Sequence, residues 1–210
     1  DVDDIVIRDV DIAETASDGI ELVNVDRATI TRTSIHDLVI CENATECEYS
    51  IFDPDVIYHA AISALDVRDL VLRDIDISDV TYGLFIGSRH EEIDWELVTP
   101  DPSRNITVEN LNLVNSRREG ILLVNVEEAA LRNVSIDNSA MERSMDLVVL
   151  QKSAHIDLEG MTLKGGINGL MFASSFNLPG ETSDIEVRDV VIEGSSRSGV
   201  FMNPASNVRF

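Results

Sequence analysis

Lysine is almost absent from this sequence: Lys152 and Lys164 are the only two among 210 residues. Aromatic residues make up 5% of the chain, with a single Trp, so branched aliphatic side chains must fill whatever core it builds. No apolar run approaches the about 20 residues that a helix needs to cross a bilayer, which argues against membrane insertion. The first residue is Asp1, with neither an initiating Met nor a signal peptide, so a processed or excised part of a larger chain is expected. Sixteen basic residues against thirty-nine acidic ones leave a formal net charge of −23. A surface of that sign repels phosphate, so neither nucleic acid nor an anionic membrane is an expected partner. Cysteine is limited to Cys41 and Cys47, and a disulfide between them would close a tiny loop, worth about 2 kcal/mol by loop entropy. Asn43, Asn105 and Asn133 each open a glycosylation sequon. Both features point to an extracellular protein, although turns beside Thr or Ser in a repeat of short strands produce the same tripeptides.

What the chain does have is a line written more than once. Gly19 opens GIELVNVDRATITRTSI and Gly120 opens GILLVNVEEAALRNVSI. Within the first, Ala28, Ile30, Thr33 and Ile35 stand at the offsets of Ala129, Leu131, Val134 and Ile136 in the second. The same spacing recurs from Ile5, Leu70, Ile106, Ile156 and Ile185, and Val208 begins one more. Successive anchors are separated by 23, 42, 36, 23, 27, 29 and 23 residues, so 23 is the unit and the longer gaps carry insertions. Each unit also opens with a Gly-aliphatic strand at Gly19, Gly83, Gly120, Gly169 or Gly199, which is degenerate at Ala61-Ile62 and Asp146-Leu147. A unit thus contains three short strands of alternating apolar residues. Asp9, Asp74, Asn110, Asn133, Gly160 and Asp189 sit at the corners, where tight turns suit them. One unit cannot bury its apolar face alone, whereas stacking units at about 4.8 Å does. The expectation is an all-β solenoid, a single domain over residues 1–210 of about eight rungs, with insertion loops near 42–60 and 89–104. Residues 36–60 would form either a loop or one shortened extra rung, since Leu38-Val39-Ile40 is strand-like.

These strands and corners resemble the right-handed, single-stranded parallel β-helix of the pectin-lyase-like superfamily, over essentially the whole chain. The resemblance implies a fold on which loops beside one sheet commonly build a saccharide cleft. It does not extend to a catalytic motif: the Asn-Thr-Asp, Asp-pair and Gly-His-Gly pattern of polygalacturonases is missing. A pectate-lyase-like site needs Ca²⁺ on clustered Asp with an Arg or Lys base, which Asp53 and Asp55 with Arg89 would imitate. A leucine-rich repeat would need a Leu-x-x-Leu-x-Leu consensus, which does not recur. The acidic, lysine-poor composition resembles that of proteins from extreme halophiles, where dense salt screens self-repulsion; an ordinary acidic mesophile protein is the alternative.

The Gly-aliphatic strand is apolar on both faces. Ile20, Leu22, Leu84, Ile86, Ile121, Leu123, Leu170 and Phe172 are expected inward; Val23, Leu65, Phe85, Leu122, Val124, Val148, Leu150, Met171 and Phe201 outward. Such a stripe needs a cover from loops, another domain or sister subunits. The incomplete last unit leads to the same expectation, that more chain or a partner covers at least one end. The two large insertions flank strands one rung apart and hold the least ordinary chemistry. Asp53, Asp55, Tyr58 and His59 lie in the first; Arg89, His90, Glu91, Asp94 and Trp95 in the second. An aromatic platform beside carboxylates and Arg suits stacking and hydrogen bonding to a sugar. Equally, Trp95 and Tyr58 would serve as packing anchors on the stripe.

Three functions fit these features: a polysaccharide lyase or glycoside hydrolase, a non-catalytic glycan-recognition module, or a spike, fibre or adhesin whose stripe packs between subunits of a homo-oligomer such as a trimer. The expectation carried forward is a secreted or surface domain that binds or processes polysaccharide, with Ca²⁺ as the one cofactor the resemblance suggests.

Overall fold

A computed structural model describes residues 2–15, 17–38, 59–88, 92–93, 96–97, 101–141, 145–174 and 180–210. Its strands begin with β1 (Val2–Ala13), β2 (Ile20–Val23), β3 (Val25–Leu38), β4 (Ala60–Leu65), β5 (Arg68–Val80) and β6 (Tyr82–Gly87). Two short strands, β7 (Glu92–Ile93) and β8 (Glu96–Leu97), precede β9 (Ser103–Ser116), β10 (Ile121–Val124), β11 (Val126–Asp137) and β12 (Val148–Gln151). The chain continues through β13 (Ala154–Glu159), β14 (Thr162–Lys164), β15 (Asn168–Ala173), β16 (Thr182–Arg188), β17 (Val191–Glu193), β18 (Ser198–Asn203) and β19 (Ala205–Arg209). No helix occurs among the described residues.

Backbone pairing sorts these strands into two large parallel sheets that the chain visits alternately. The first runs β1-β3-β5-β9-β11-β13-β16-β19, with β14 and β17 alongside; the second runs β2-β4-β6-β10-β12-β15-β18. Among the described residues only β7 and β8 pair antiparallel. Every sequence anchor falls in one column of the first sheet: Ile5 pairs with Ala28, then Leu70, Ile106, Ala129, Ile156, Ile185 and Val208 in turn. The alternating aliphatic residues of both sheets turn inward and form one core that runs through the stack. Because β2 pairs directly with β4, and β3 with β5, no described strand stands between these layers.

The first-sheet strands differ from the expected pattern in an instructive way. Two predicted short strands run together as one element in β1, β3, β5, β9 and β11. They are joined by a single residue in the left-handed region: Asp9, Arg32, Asp74, Asn110, Asn133, Gly160 and Asp189 all have φ between 50° and 65°. A second left-handed column starts these strands at Asp4, Arg27, Asp69, Asn105, Glu128, His155, Asp184 and Asn207. Asn and Asp tolerate this conformation, which costs other L-residues about 1–2 kcal/mol. Side chains along each column then bond from layer to layer. Arg32 donates to both Asp9 oxygens, and Asn110 Nδ2 donates to Asp74 at 2.7 Å. Outward residues between the corners form a charge ladder, with Arg73 against Glu109 at 2.8 Å and Arg132 and Arg188 on Glu159. Exposed pairs of this kind contribute little each, about 0–1 kcal/mol.

Candidate functional site

The second sheet is the part of the molecule bordered by both large insertions. His59 leads into β4, and Ser88 follows β6, while Ile62 of β4 pairs with Leu84 and Ser63 with Phe85. The two insertions therefore leave from the two ends of one two-strand patch. Ser88 Oγ donates to the Asp101 carbonyl at 2.8 Å, which ties the base of the second insertion. Of the expected site residues, His59 alone is described; Asp53, Asp55, Tyr58, Arg89, His90, Glu91, Asp94 and Trp95 lie outside the described residues, as do Cys41, Cys47 and Asn43. Asn105 and Asn133 occupy left-handed corners, where their side-chain amides donate to Asp69 and to Asn110 Oδ1.

Inward columns of this sheet match the expected set, with one correction. Val148 pairs with Ile121 and Leu170, and Leu150 with Leu123 and Phe172, so both point into the core and Val149 is the outward residue between them. The reason is a one-residue offset. Leu147, not Asp146, stands in the column of Gly83, Gly120 and Gly169, and its side chain uses the space over Gly166, where a Cβ would come within 2.8 Å of Leu147 Cγ. Outside the sheet, Ala60, Tyr82, Phe85, Leu122 and Val149 make a second buried cluster, joined by Leu65, Val124 and Met171. Phe85, Leu122 and Val149 are only 8%, 6% and 2% exposed, so the stripe is covered at its middle within a single chain.

Polar chemistry concentrates where the chain enters the second sheet. The residue directly before the glycine column is, layer by layer, Asp18, Ala60, Tyr82, Glu119, Asp146, Asn168 and Ser198, linked by parallel backbone bonds. Asp18 Oδ1 accepts from the Ala60 N–H at 2.5 Å. Burial pushes the Asp18 carboxyl up to about 6, against the opposing pull of that hydrogen bond and of His59, with Glu21 adding to the rise. Beside it, Ser17 Oγ lies 3.3 Å from His59 Nδ1. Arg118 Nε donates to the Tyr82 hydroxyl at 3.2 Å. Burial also raises the Glu119 carboxyl, with Asp146 contributing like-charge repulsion. Asp146 Oδ1 accepts from both the backbone N–H and the side-chain amide of Asn168, at 3.0 and 2.7 Å.

The opposite turn, leaving the sheet, is closed by buried hydroxyls and amides. Ser103 Oγ donates to the Gly87 carbonyl at 2.7 Å, Asn125 Nδ2 to Ser88 Oγ at 3.1 Å, and Thr182 Oγ1 to the Ala173 carbonyl at 2.7 Å. Lys152 sits at this corner with a buried Nζ that has no hydrogen-bond partner, and burial lowers its pKa. A shallow groove of about 370 Å³ on the first sheet is lined by Asp9, Asp11, Asp74 and Asp76 with Arg32 and Ser34.

Asp18, Glu119 and Asp146 were not among the expected site residues, although a signal for them was present. The strings Asp18-Gly19-Ile20, Glu119-Gly120-Ile121, Asp146-Leu147-Val148 and Asn168-Gly169-Leu170 repeat an acid or amide at the sheet entrance. Comparison with protein-family models, with curated proteins and with solved structures finds no match for this chain. The functional argument accordingly rests on its own residues.

Proposed function

We propose that the chain is a right-handed parallel β-helix of about eight rungs from a secreted or surface protein, and that it binds polysaccharide over the outer side of its second sheet. The observation that carries this reading is the direct pairing of β4 with β6, which brings the exit of one insertion and the start of the other to the same patch. A polar margin of Ser17, Asp18, Glu21 and His59 adjoins that patch. The partly buried rim of the apolar cluster, Leu65, Val124 and Met171, offers the kind of surface on which sugar rings and aromatic side chains pack. A fixed stack supporting variable loops is also how many folds divide scaffold from binding surface.

The test is titration of the full chain with a panel of soluble neutral and acidic polysaccharides, repeated with Trp95→Ala. Binding that weakens in the variant while the Tm stays within about 2 °C of the parent supports the reading, since an exposed substitution changes stability little. Failure of every polysaccharide to bind, or a Tm collapse in the variant, removes Trp95 as a platform. Release of unsaturated products or of new reducing ends would separate a lyase or hydrolase from a binder.

A structural scaffold is the second reading, because the outer face of the second sheet keeps a partly buried apolar rim of Leu65, Val124 and Met171. Light scattering that gives a trimer, broken by Met171→Lys, would favour it over glycan binding.

A further inference from the structure

Three oxygen atoms at the entrance to the second sheet are buried without a hydrogen-bond partner: Thr81 Oγ1, Glu119 Oε2 and Asn168 Oδ1. Their residues are 5%, 8% and 3% exposed. Two of the three are pure acceptors, and both belong to the column that also holds Asp146. Glu119 and Asp146 occupy adjacent layers, about 4.8 Å apart along the stack. Asp146 is oriented by Asn168, which spends its backbone N–H and its amide N–H on one carboxylate oxygen and leaves its own carbonyl oxygen uncompensated. Arg118, next to Glu119 in the chain, engages the Tyr82 hydroxyl.

Buried acceptors require a donor or a cation. A proton on Glu119, which burial favours, or an enclosed water is the competing way to compensate Oε2. A cation satisfies Oε2 and cancels the repulsion between the two carboxylates at once.

We propose that Glu119 and Asp146, with the Asn168 carbonyl oxygen behind them, form a binding site for a hard, oxygen-seeking divalent cation of the Ca²⁺ class. The donor set is entirely oxygen: two carboxylates and a neutral amide, with Thr81 Oγ1 one position earlier along the same edge. Ca²⁺ accepts six to eight such ligands in flexible geometry, whereas Mg²⁺ demands a near-octahedral cage and keeps several waters. No three of the described His, Cys, Asp and Glu residues group around one point, so the charge count is low. Low ligand charge places the affinity near the weak end of the Ca²⁺ range, at about 10⁻⁴–10⁻³ M, as in extracellular modules. The site uses neither Asp53 nor Asp55, and it does not depend on the glycan reading.

The probe is CaCl₂ alone, added to the full chain in molar KCl so that general screening of the −23 charge is already saturated. Calorimetry is expected to find one Ca²⁺ per chain, and the Tm is expected to rise over the same concentrations. Glu119→Gln should weaken binding on the order of tenfold or more and flatten the Ca²⁺ dependence of the Tm. Asp146→Asn, which removes the second carboxylate, should weaken it likewise. Asp76→Asn, in the acidic groove of the first sheet, should leave it unchanged. The proposal is overturned if Ca²⁺ raises the Tm of Glu119→Gln as much as that of the parent, if Asp76→Asn abolishes binding, or if no saturable binding is seen. If Glu119→Gln does not fold, undiminished binding in Asp146→Asn overturns it instead.

Discussion

Replacing Asp18 by Asn removes one negative charge and leaves the carbonyl oxygen that accepts the Ala60 N–H. The parent carboxyl is raised from 3.8 to about 6 by burial at the entrance to β2, with Glu21 adding repulsion and His59 opposing it. A folded pKa above the unfolded one means that the folded chain holds its proton more tightly. The favourable contribution is therefore complete below about pH 4 and is lost as pH rises through about 6. A shift of this size corresponds to roughly 3 kcal/mol at about 1.4 kcal/mol per pKa unit. Because the side chain is only partly buried, solvent screening cuts this to about 1.5 kcal/mol. For a chain of this length each kcal/mol moves the Tm by about 2–4 °C. Thermal unfolding followed by circular dichroism at pH 4, 5, 6, 7 and 8, in constant molar KCl, should show the two proteins nearly equal at pH 4. Asp18→Asn should melt about 3–6 °C higher at pH 7 and above. A variant that is less stable by the same amount at every pH would refute the reasoning, since Asp18 would then act through its geometry and not its charge.

Gly83→Ala should destabilise by about 3 kcal/mol or more through overpacking. Its Cβ would stand 2.0 Å from Leu113 Cδ1 and 2.3 Å from the Gly120 carbonyl oxygen, while the equivalent Gly199→Ala meets only Ile192 Cγ2 at 3.9 Å and should be nearly silent in the same melts. Lowering the ionic strength should also destabilise the chain, because it restores repulsion among a net charge of −23. A Tm that stays flat from dilute buffer to molar KCl would sink the halophilic expectation.

The stacking register was legible because one physical rule generates it. An aliphatic residue every second position must face the core, and the anchors Ile5, Ala28, Leu70, Ile106, Ala129, Ile156, Ile185 and Val208 repeat that rule through insertions of different length. Leu123, placed inward from the pattern alone, is fully buried. The rule fails where both faces are apolar, since periodicity then says nothing about direction. Val148 and Leu150 were therefore read one residue out of phase, and only the fit of Leu147 over Gly166 settles their side. The entrance column was overlooked for another reason. Asp18, Glu119 and Asp146 resemble ordinary turn acids in sequence, and only their lower exposure, with Glu119 buried and Asp18 and Asp146 partly so, separates them from the exposed Asp9 and Asp74. Composition drew attention to the insertions, where rare residue types cluster. Nothing in composition marks a common acid that happens to be enclosed.

The single left-handed residue that bends each first-sheet strand also limits how such a molecule can be altered. At Asp9, Arg32, Asp74, Asn110, Asn133, Gly160 and Asp189 the chain turns within one position, and each such residue sits in register with its neighbours above and below. An added residue there would throw the following half-strand out of phase and turn its apolar face to water. The turns into and out of the second sheet carry no such restriction: they range from Asn24 alone to the twenty-one residues between Leu38 and Ala60. New surface can therefore be grafted on two sides of the stack only. The first-sheet wall must keep its outline however far the rest diverges, which makes it the side on which copies of such a domain could be laid against a flat support without disturbing whatever the other side has acquired.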